Sequence, residues 1–350
     1  MQADSSIIFT REPDKELRSI LKKLGSPKVM TVTDSTVYPL CGEIYPVLNR
    51  YPCTIIKAGE ENKNIDSLQA VWEAMRENHF HRNDVVVNLG GGMVSDLGGF
   101  AAATYMRGIR YINLPTTLLS AVDASCGGKT AINFEGIKNL IGAFHFPSST
   151  IICPQAFVSL PKRELLSGWG EIIKHAIIDS QEHLDYVLSL NPFELSDEEM
   201  LTLIRRSVEV KRAITTKDPK ENGLRRALNL GHTAAHAIES VGLSRGLGIS
   251  HGHAVALGLL AEINLSSSFP KETFKRLSNY IHRLFSHVEM TEDDIPILRQ
   301  AMLSDKKNLS KDNTEISFVS MESVGKANVF AETKVENMIN SLFSACNFHI

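Results

Sequence analysis

The strongest constraint on this chain is a change of rhythm close to Pro161. Before it, short strand-like runs alternate with helix-like stretches; after it, the strand signals fade. Lys28 to Asp34, Cys53 to Lys57, Asp84 to Gly90 and Arg110 to Pro115 read as buried strands. Helical patterns lie between them, over Asp66 to Asn78 and Val94 to Tyr105. Strands alternating with helices imply a mainly parallel sheet covered by helices, a Rossmann-like α/β domain. Beyond Pro161, Glu164 to Asp179, Asp197 to Thr216, Thr233 to Val241, Ala254 to Ser267 and Lys271 to Phe285 are long and amphipathic. We therefore expect an α/β domain over residues 1–160 followed by an all-α domain over 161–350. Glu315 to Ser320 and Ala327 to Ala331 are either short strands or stray apolar runs.

Composition narrows the partners. With Lys+Arg 37 against Asp+Glu 40, the net charge is −3, which argues against a general nucleic-acid or membrane-surface binder. The start, Met1 to Leu17, has no long apolar core, so no signal peptide is expected. No apolar run is long enough to span a bilayer. Cys41, Cys53, Cys126, Cys153 and Cys346 are odd in number, scattered and never spaced as CxxC, the usage of a reduced cytoplasmic protein.

Leu89 to Phe100, LGGGMVSDLGGF, follows a strong strand and opens a helix. Glycines there let a backbone approach a phosphate, with the N–H groups of the helix start facing the anion. The match to GxGxxG fails at Ser95, so a plain tight turn is the competing reading. Gly59, Glu60 and Lys63 follow the second strand, where open α/β sheets meet ligands, and Glu60 suits ribose hydroxyls, although this segment alone favours a solvated loop.

The helical half concentrates metal-ligand types. GWGEIIKH carries Glu171, Lys174 and His175; NLGHTAAH carries His232 and His236; SHGH carries His251 and His253. Two histidines and a carboxylate, with one coordination position open, form a common catalytic zinc set. Spacing alone pairs His232 with His236, four apart on one helix face. Cations in small-residue surroundings, Arg107, Lys129, Lys138 beside Asn139, and Arg225, suit a small, highly anionic substrate.

Taken together, GGGMVSDLGGFAAATYMRG, LPTTLLSAVDASCGGKTAIN, KNLIGAFHFP, GWGEIIKH, GLRRALNLGHTAAHAIE and HGHAVALG resemble the 3-dehydroquinate synthase family, over roughly residues 28 to 311. The resemblance implies a dehydroquinate synthase-like fold: an NAD-binding α/β domain, a helical zinc-holding domain, and an active site between them. It implies that 3-deoxy-D-arabino-heptulosonate 7-phosphate loses phosphate and closes to 3-dehydroquinate, with NAD reduced and re-oxidised in each turnover.

Position by position, the resemblance implies Glu171, His232 and His251 as ligands of zinc, with cobalt as a substitute, and turns His236 into a substrate-side residue. The other substrate positions it implies are Arg107, Asp123, Lys129, Asn139, Lys174, Lys211, Arg225, Asn229 and Lys306. Lys129, Asn139 and Lys306 hold the phosphate in that scheme, Lys306 being preferred to Lys307. Arg107 reaches it from the partner subunit of a homodimer, Lys211 and Arg225 hold the carboxylate, and Asp123 and Lys174 lie near the reacting hydroxyls. For NAD the pattern implies Asp34, Gly59, Glu60, Glu61, Asn62, Lys63, Gly92, Met93, Val94, Ser95 and Asp96. It adds Thr116, Thr117, Lys129, Lys138, Phe157, Val158 and Ser159.

This chain departs from the family pattern at His253, usually Glu, at Gly170, usually Ala, at Ala235, usually Gly, and at Cys126, usually aliphatic. His253 bears on the surroundings of the metal, because a carboxylate there would tune His251 differently. The rival readings are another sugar-phosphate cyclase, a zinc polyol dehydrogenase of related fold, and a non-catalytic metal- and nucleotide-binding regulator. Lys211, Arg225 and His236 together favour a carboxylate-bearing substrate over the first of these.

Overall fold

The computed structural model describes residues 6–218, 221–305, 308, 310 and 314–347. The chain divides into two compact units, Met1–Pro161 with Ser196–Val208, and Lys162–Leu195 with Glu209–Ile350. The division is thus not the single cut expected near residue 160, because the first half of one helix belongs to the first unit.

In chain order the first unit runs β1 (Ser6–Phe9), α1 (Pro13–Lys23), β2 (Val29–Asp34), α2 (Tyr38–Ile44), β3 (Cys53–Ile56), α3 (Ile65–Glu77) and β4 (Val85–Gly90). It continues through α4 (Gly92–Thr104), β5 (Arg110–Pro115), α5 (Leu118–Val122), β6 (Lys129–Phe134), β7 (Ile137–Phe144) and β8 (Ser149–Ile152). Six strands form one parallel sheet in the order β1-β8-β5-β4-β2-β3. Every residue of β2 and β4 is buried, which is why both read as mainly apolar runs without strict alternation. Met30, Val32, Val86, Leu97 and Phe100 pack between sheet and helices.

Strand order reverses direction between β2 and β4. From β2 the chain steps outward to β3, then returns to β4 and continues to β5. Ligands of open α/β sheets bind outside the carboxyl ends of strands at such a reversal. A separate antiparallel ribbon, β6–β7, is missing from the sequence reading.

The second unit contains α6 (Lys162–Asp179), α7 (Gln181–Ser189), the later part of α8 (Asp197–Lys217), α9 (His232–Ser244), α10 (His251–Asn264), α11 (Lys271–Leu284) and α12 (Ile295–Leu303). It ends in an antiparallel hairpin, β9 (Glu315–Ser323) with β10 (Lys326–Lys334), and α13 (Val335–Cys346). The expected helical half is found, and the two runs left open as short strands or stray apolar stretches form this hairpin, whose β10 has every second residue exposed. Helix α10 is buried along almost its whole length. Among the described residues no helix is long and apolar enough to cross a membrane.

Candidate metal centre and cofactor cradle

Three helices deliver three ligand-type side chains to one point of the second unit. Glu171 lies in α6, His232 opens α9 and His251 opens α10. The Nε2 atoms of His232 and His251 stand 3.6 and 3.4 Å from the same oxygen, Glu171 Oε1. Two donors held tetrahedrally at ordinary zinc–ligand lengths sit roughly 3.3 Å apart, so these separations fit one ion with little rearrangement. The other ring nitrogens are already engaged. His232 Nδ1 donates to the Leu230 carbonyl at 3.2 Å, and His251 Nδ1 faces Glu239 Oε1 at 3.3 Å. That leaves each Nε2 as the metal-facing atom.

Close helix packing makes the convergence possible. Each ligand has a glycine beside it in the chain: Gly170, Gly231 and Gly252. A Cβ on Gly252 would lie 1.8 Å from the Ser167 carbonyl oxygen, which locks α10 against α6. A Cβ on Gly258 would lie 2.1 Å from the Gly231 carbonyl oxygen, which brings α10 against the start of α9. Gly231 itself has φ +79°, a conformation glycine adopts freely.

The electrostatics favour a cation. Glu171 is fully buried and ion-paired with Lys174, one turn further along α6. Burial works against a charged His251, but hydrogen bonds to Glu171 and Glu239 prevail and raise its pKa to about 9. With Glu171 and Glu239 both facing its ring, at 3.4 and 3.3 Å, the site gathers negative charge where a divalent ion would sit.

His236 does not join this cluster, although it lies four residues from His232. Its Nδ1 is 2.6 Å from Asp305 Oδ2, and its ring meets that of His232 edge-on at 5.7 Å. The spacing-based pairing of His232 with His236 is therefore corrected. His253 also faces elsewhere: its Nε2 is 2.8 Å from the Ser286 carbonyl and its ring lies over Phe285. Two residues along a helix is about 200° of rotation, so His253 cannot share the outlook of His251. The carboxylate beside His251 comes instead from Glu239 in α9, which the sequence reading missed.

The remaining substrate positions of this unit are buried cations and amides. Lys174, Lys211 and Arg225 are each at most 9% exposed. Asn229 Nδ2 is 3.0 Å from Glu221 Oε1, and Arg225 Nε is 4.0 Å from Glu221 Oε2, so this corner already accommodates a carboxylate. Asp218 accepts the backbone N–H groups of Asn222, Gly223 and Arg225, which shapes the turn before Arg225. Lys306 and Lys307 lie outside the described residues.

In the first unit, the predicted cofactor residues gather at the carboxyl ends of β2, β3 and β4. Asp34 ends β2, and its Oδ1 accepts the N–H groups of Thr36 and Val37. The glycine turn leads from β4 into α4, whose N-cap is Gly91 and whose start has no side-chain cap. Uncapped N–H groups at a helix start suit a phosphate. Gly98 and Gly99 serve packing instead: a Cβ there would lie 2.0 Å from Asn88 Oδ1 and 2.6 Å from Thr130 Cγ2.

Lys63, 3% exposed, ties the cradle together. Its Nζ is 2.6 Å from Asp96 Oδ2 and 2.5 Å from Asn139 Oδ1. Asn133 in turn donates to the carbonyl and carboxylate of Glu60. The Gly59–Lys63 loop, α4 and the β6–β7 ribbon thus meet through Glu60, Lys63, Asp96, Asn133 and Asn139. Gly92 and Met93 are partly exposed at the helix start, while Val94 and Ser95 are buried. Ser95 Oγ meets Ser120 Oγ at 3.2 Å. Thr116 is buried after β5, and Thr117 caps α5 by accepting from Ser120 N–H. Asp123 follows α5, and Lys129 and Lys138 lie exposed on the ribbon.

Val158 and Ser159 line a cleft of about 390 Å³ with Leu40 and Ile44, while Phe157 is buried. Arg107 is exposed, and it, Met106 and Gly108 all have positive φ.

Comparison with known proteins agrees with this layout. Residues 53–167 match the family model described as 3-dehydroquinate synthase N-terminal, and residues 168–308 that described as 3-dehydroquinate synthase C-terminal. The chain is 36% identical over 347 residues to the 3-dehydroquinate synthase of Parabacteroides distasonis, covering 97% of both chains. It is 37% identical over 316 residues to that of Pyrococcus furiosus, covering 89% of this chain and 91% of the relative. Among solved structures, a 2-deoxy-scyllo-inosose synthase complexed with carbaglucose-6-phosphate, NAD+ and Co2+ superposes with TM-score 0.84 at 22% identity, covering 97% of this chain and 96% of that one. A 2-epi-5-epi-valiolone synthase from Streptomyces hygroscopicus, with NAD+ and Zn2+ bound, gives 0.82 at 24% identity, covering 99% and 98%. At these identities the two structures speak for the fold.

Proposed function

This chain belongs to the 3-dehydroquinate synthase family, and from that premise we propose how its residues carry out the family reaction. The substrate is 3-deoxy-D-arabino-heptulosonate 7-phosphate, and the products are 3-dehydroquinate and phosphate. The observation that carries the proposal is the meeting of His232 and His251 Nε2 at the buried Glu171 carboxylate. Bound NAD would supply hydride acceptance and return, and bound zinc or cobalt would supply Lewis acidity to the hydroxyls at the carbon to be oxidised.

The chain's own side chains do the rest. Glu171, His232 and His251 hold the metal. Asp34, the Gly59–Lys63 loop, Gly92 to Asp96, Thr116, Thr117, Lys138 and Phe157 to Ser159 hold the dinucleotide, with the uncapped start of α4 toward its phosphates. Lys129 and Asn139, with Lys306, hold the substrate phosphate as it leaves, and that phosphate can itself take the proton acidified by the transient ketone. Asp123 and Lys174 orient the reacting hydroxyls. Lys211, Arg225, Asn229 and His236 take the carboxylate end. Support for that last assignment is the carboxylate of Glu221, which already sits against Arg225 and Asn229. A carboxylate-binding corner separates this reading from a cyclase acting on a sugar phosphate that carries no carboxylate.

We also propose a homodimer in which Arg107 serves the partner's site. Its support is the β6–β7 ribbon, where Ile137, Leu140 and Phe144 are 54%, 53% and 69% exposed. Apolar side chains in such a row are costly to leave in water. The five free cysteines suit a reducing compartment, and we place the enzyme in the cytoplasm.

The test is incubation with the heptulosonate phosphate, catalytic NAD and zinc. Phosphate release without net NADH, and a product with the mass of 3-dehydroquinate, are expected. Stoichiometric NADH accumulation, or no phosphate, would refute the cyclase reading.

A further inference from the structure

Helix α9 begins with a residue that cannot cap it. Its N-cap is Gly231, which has no side chain to accept the first N–H groups. This helix start is buried, with Thr233 9% and Ala234 0% exposed, so water does not readily serve those donors either. The missing acceptor comes from α10. Glu262, 0% exposed, takes the Gly231 N–H on Oε2 at 2.7 Å, and those of Thr233 and Ala234 on Oε1 at 3.0 and 3.3 Å. The residue enclosed by these three donors is His232.

The same helix α10 grips this spot a second time. Gly231 packs on Leu259, and its carbonyl oxygen occupies the space where Gly258 has no Cβ. The start of α9 is therefore held by a steric contact at Gly258 and Leu259 and by a charged clamp one turn later. Backbone orientation at His232 sets where its imidazole points, and its Nε2 stands 3.6 Å from Glu171 Oε1.

We infer that Glu262 is a positioning residue of the metal centre: by clamping the first turn of α9 it aims His232 and thereby sets metal affinity. A carboxylate suits this task better than a neutral side chain, because it accepts from several N–H groups at once and complements the positive end of the helix dipole. The inference rests on the metal-centre reading above.

The test compares the full-length wild type with Glu262→Gln and Ile281→Val. Gln keeps the shape but replaces one acceptor oxygen with a donor. Ile281 is fully buried in α11, so its trimming perturbs the same unit through packing alone. Zinc affinity is read by competition with a chromophoric chelator, alongside thermal stability and NAD affinity. Glu262→Gln is expected to weaken zinc about 10- to 100-fold with NAD affinity unchanged, whereas Ile281→Val loses thermal stability and keeps its zinc affinity. Wild-type zinc affinity in a folded Glu262→Gln protein would overturn the positioning role and leave the metal centre standing. A wild type that binds no zinc would overturn the metal centre, and this inference with it. If Glu262→Gln does not fold, Glu262→Asp, with its carboxylate drawn back by one methylene, is judged by the same zinc criterion.

Discussion

Gly170 and Gly252 touch backbone to backbone: a Cβ on Gly170 would lie 2.1 Å from the Gly252 carbonyl oxygen. Each is the chain neighbour of a candidate metal ligand, Glu171 or His251. The two helices therefore meet more closely than an Ala at Gly170 would allow. Gly170→Ala is expected to push α6 from α10. Overpacking costs about 1–3 kcal/mol, against a gain of at most about 1 kcal/mol in helix propensity. The variant should melt at lower temperature and bind zinc more weakly. A Tm and a zinc affinity equal to wild type would show that the contact relaxes freely.

Removing Glu171 separates ligation from burial. Glu171→Ala should lose zinc while NAD binding persists, because the residues proposed to hold the cofactor lie in the other unit. It also leaves Lys174, 2% exposed, without its ion-pair partner, at about 3–5 kcal/mol. Glu171→Gln keeps an acceptor beside Lys174 and should be the more stable of the two. Equilibrium dialysis with zinc and urea unfolding read the two effects apart; full metal occupancy in Glu171→Ala would remove Glu171 from the ligand set.

Asp96 should impose a pH dependence on stability. Burial raises its pKa from 3.8 to about 6, although Lys63 pulls the other way. The folded chain then keeps a proton that the unfolded chain has released. Its favourable contribution is complete below about pH 4 and is lost as pH rises through about 6. Measured against Asp96→Asn by urea unfolding across that window, wild type should lose about 2–3 kcal/mol. A difference that stays constant with pH would show that the carboxyl titrates at its ordinary value.

Asn139 carries two duties at φ 54°. Its N–H donates to Asn133 Oδ1 at 2.9 Å, and its Oδ1 accepts from Lys63. Asn139→Ala combines left-handed strain, about 1–2 kcal/mol, with loss of a hydrogen bond to a charged group, about 1.5–3 kcal/mol. Asn139→Gly removes the strain and keeps the loss. Thermal unfolding should rank Ala below Gly below wild type, and both variants should bind substrate phosphate more weakly. An Ala variant as stable as the Gly variant would show that the backbone relaxes out of the left-handed region.

Local pattern determined much of this protein. Strands β2, β4 and β5 were legible within one residue, because parallel strands buried on both faces are rich in apolar and β-branched residues, broken only by Thr31, Thr33, Asn88 and Asn113 before their ends. Helices such as α11 were legible because one face is wet and the other is not. The ribbon β6–β7 was not, since its exposed apolar residues carry no alternation between water and core, and β10 was legible only in part. Family motifs pointed to Glu171, His232 and His251, but spacing alone pointed from His232 to His236. Tertiary structure decided otherwise, because side-chain aim depends on how each helix is rotated and how closely it is approached. Those choices are made at Gly170, Gly231, Gly252 and Gly258, and by Glu239 and Glu262 reaching across from neighbouring helices. All but Glu262 stand inside the quoted motifs, yet a motif does not say what its glycine or carboxylate will touch; each acts through an atom, or the lack of one, on a segment distant in the chain.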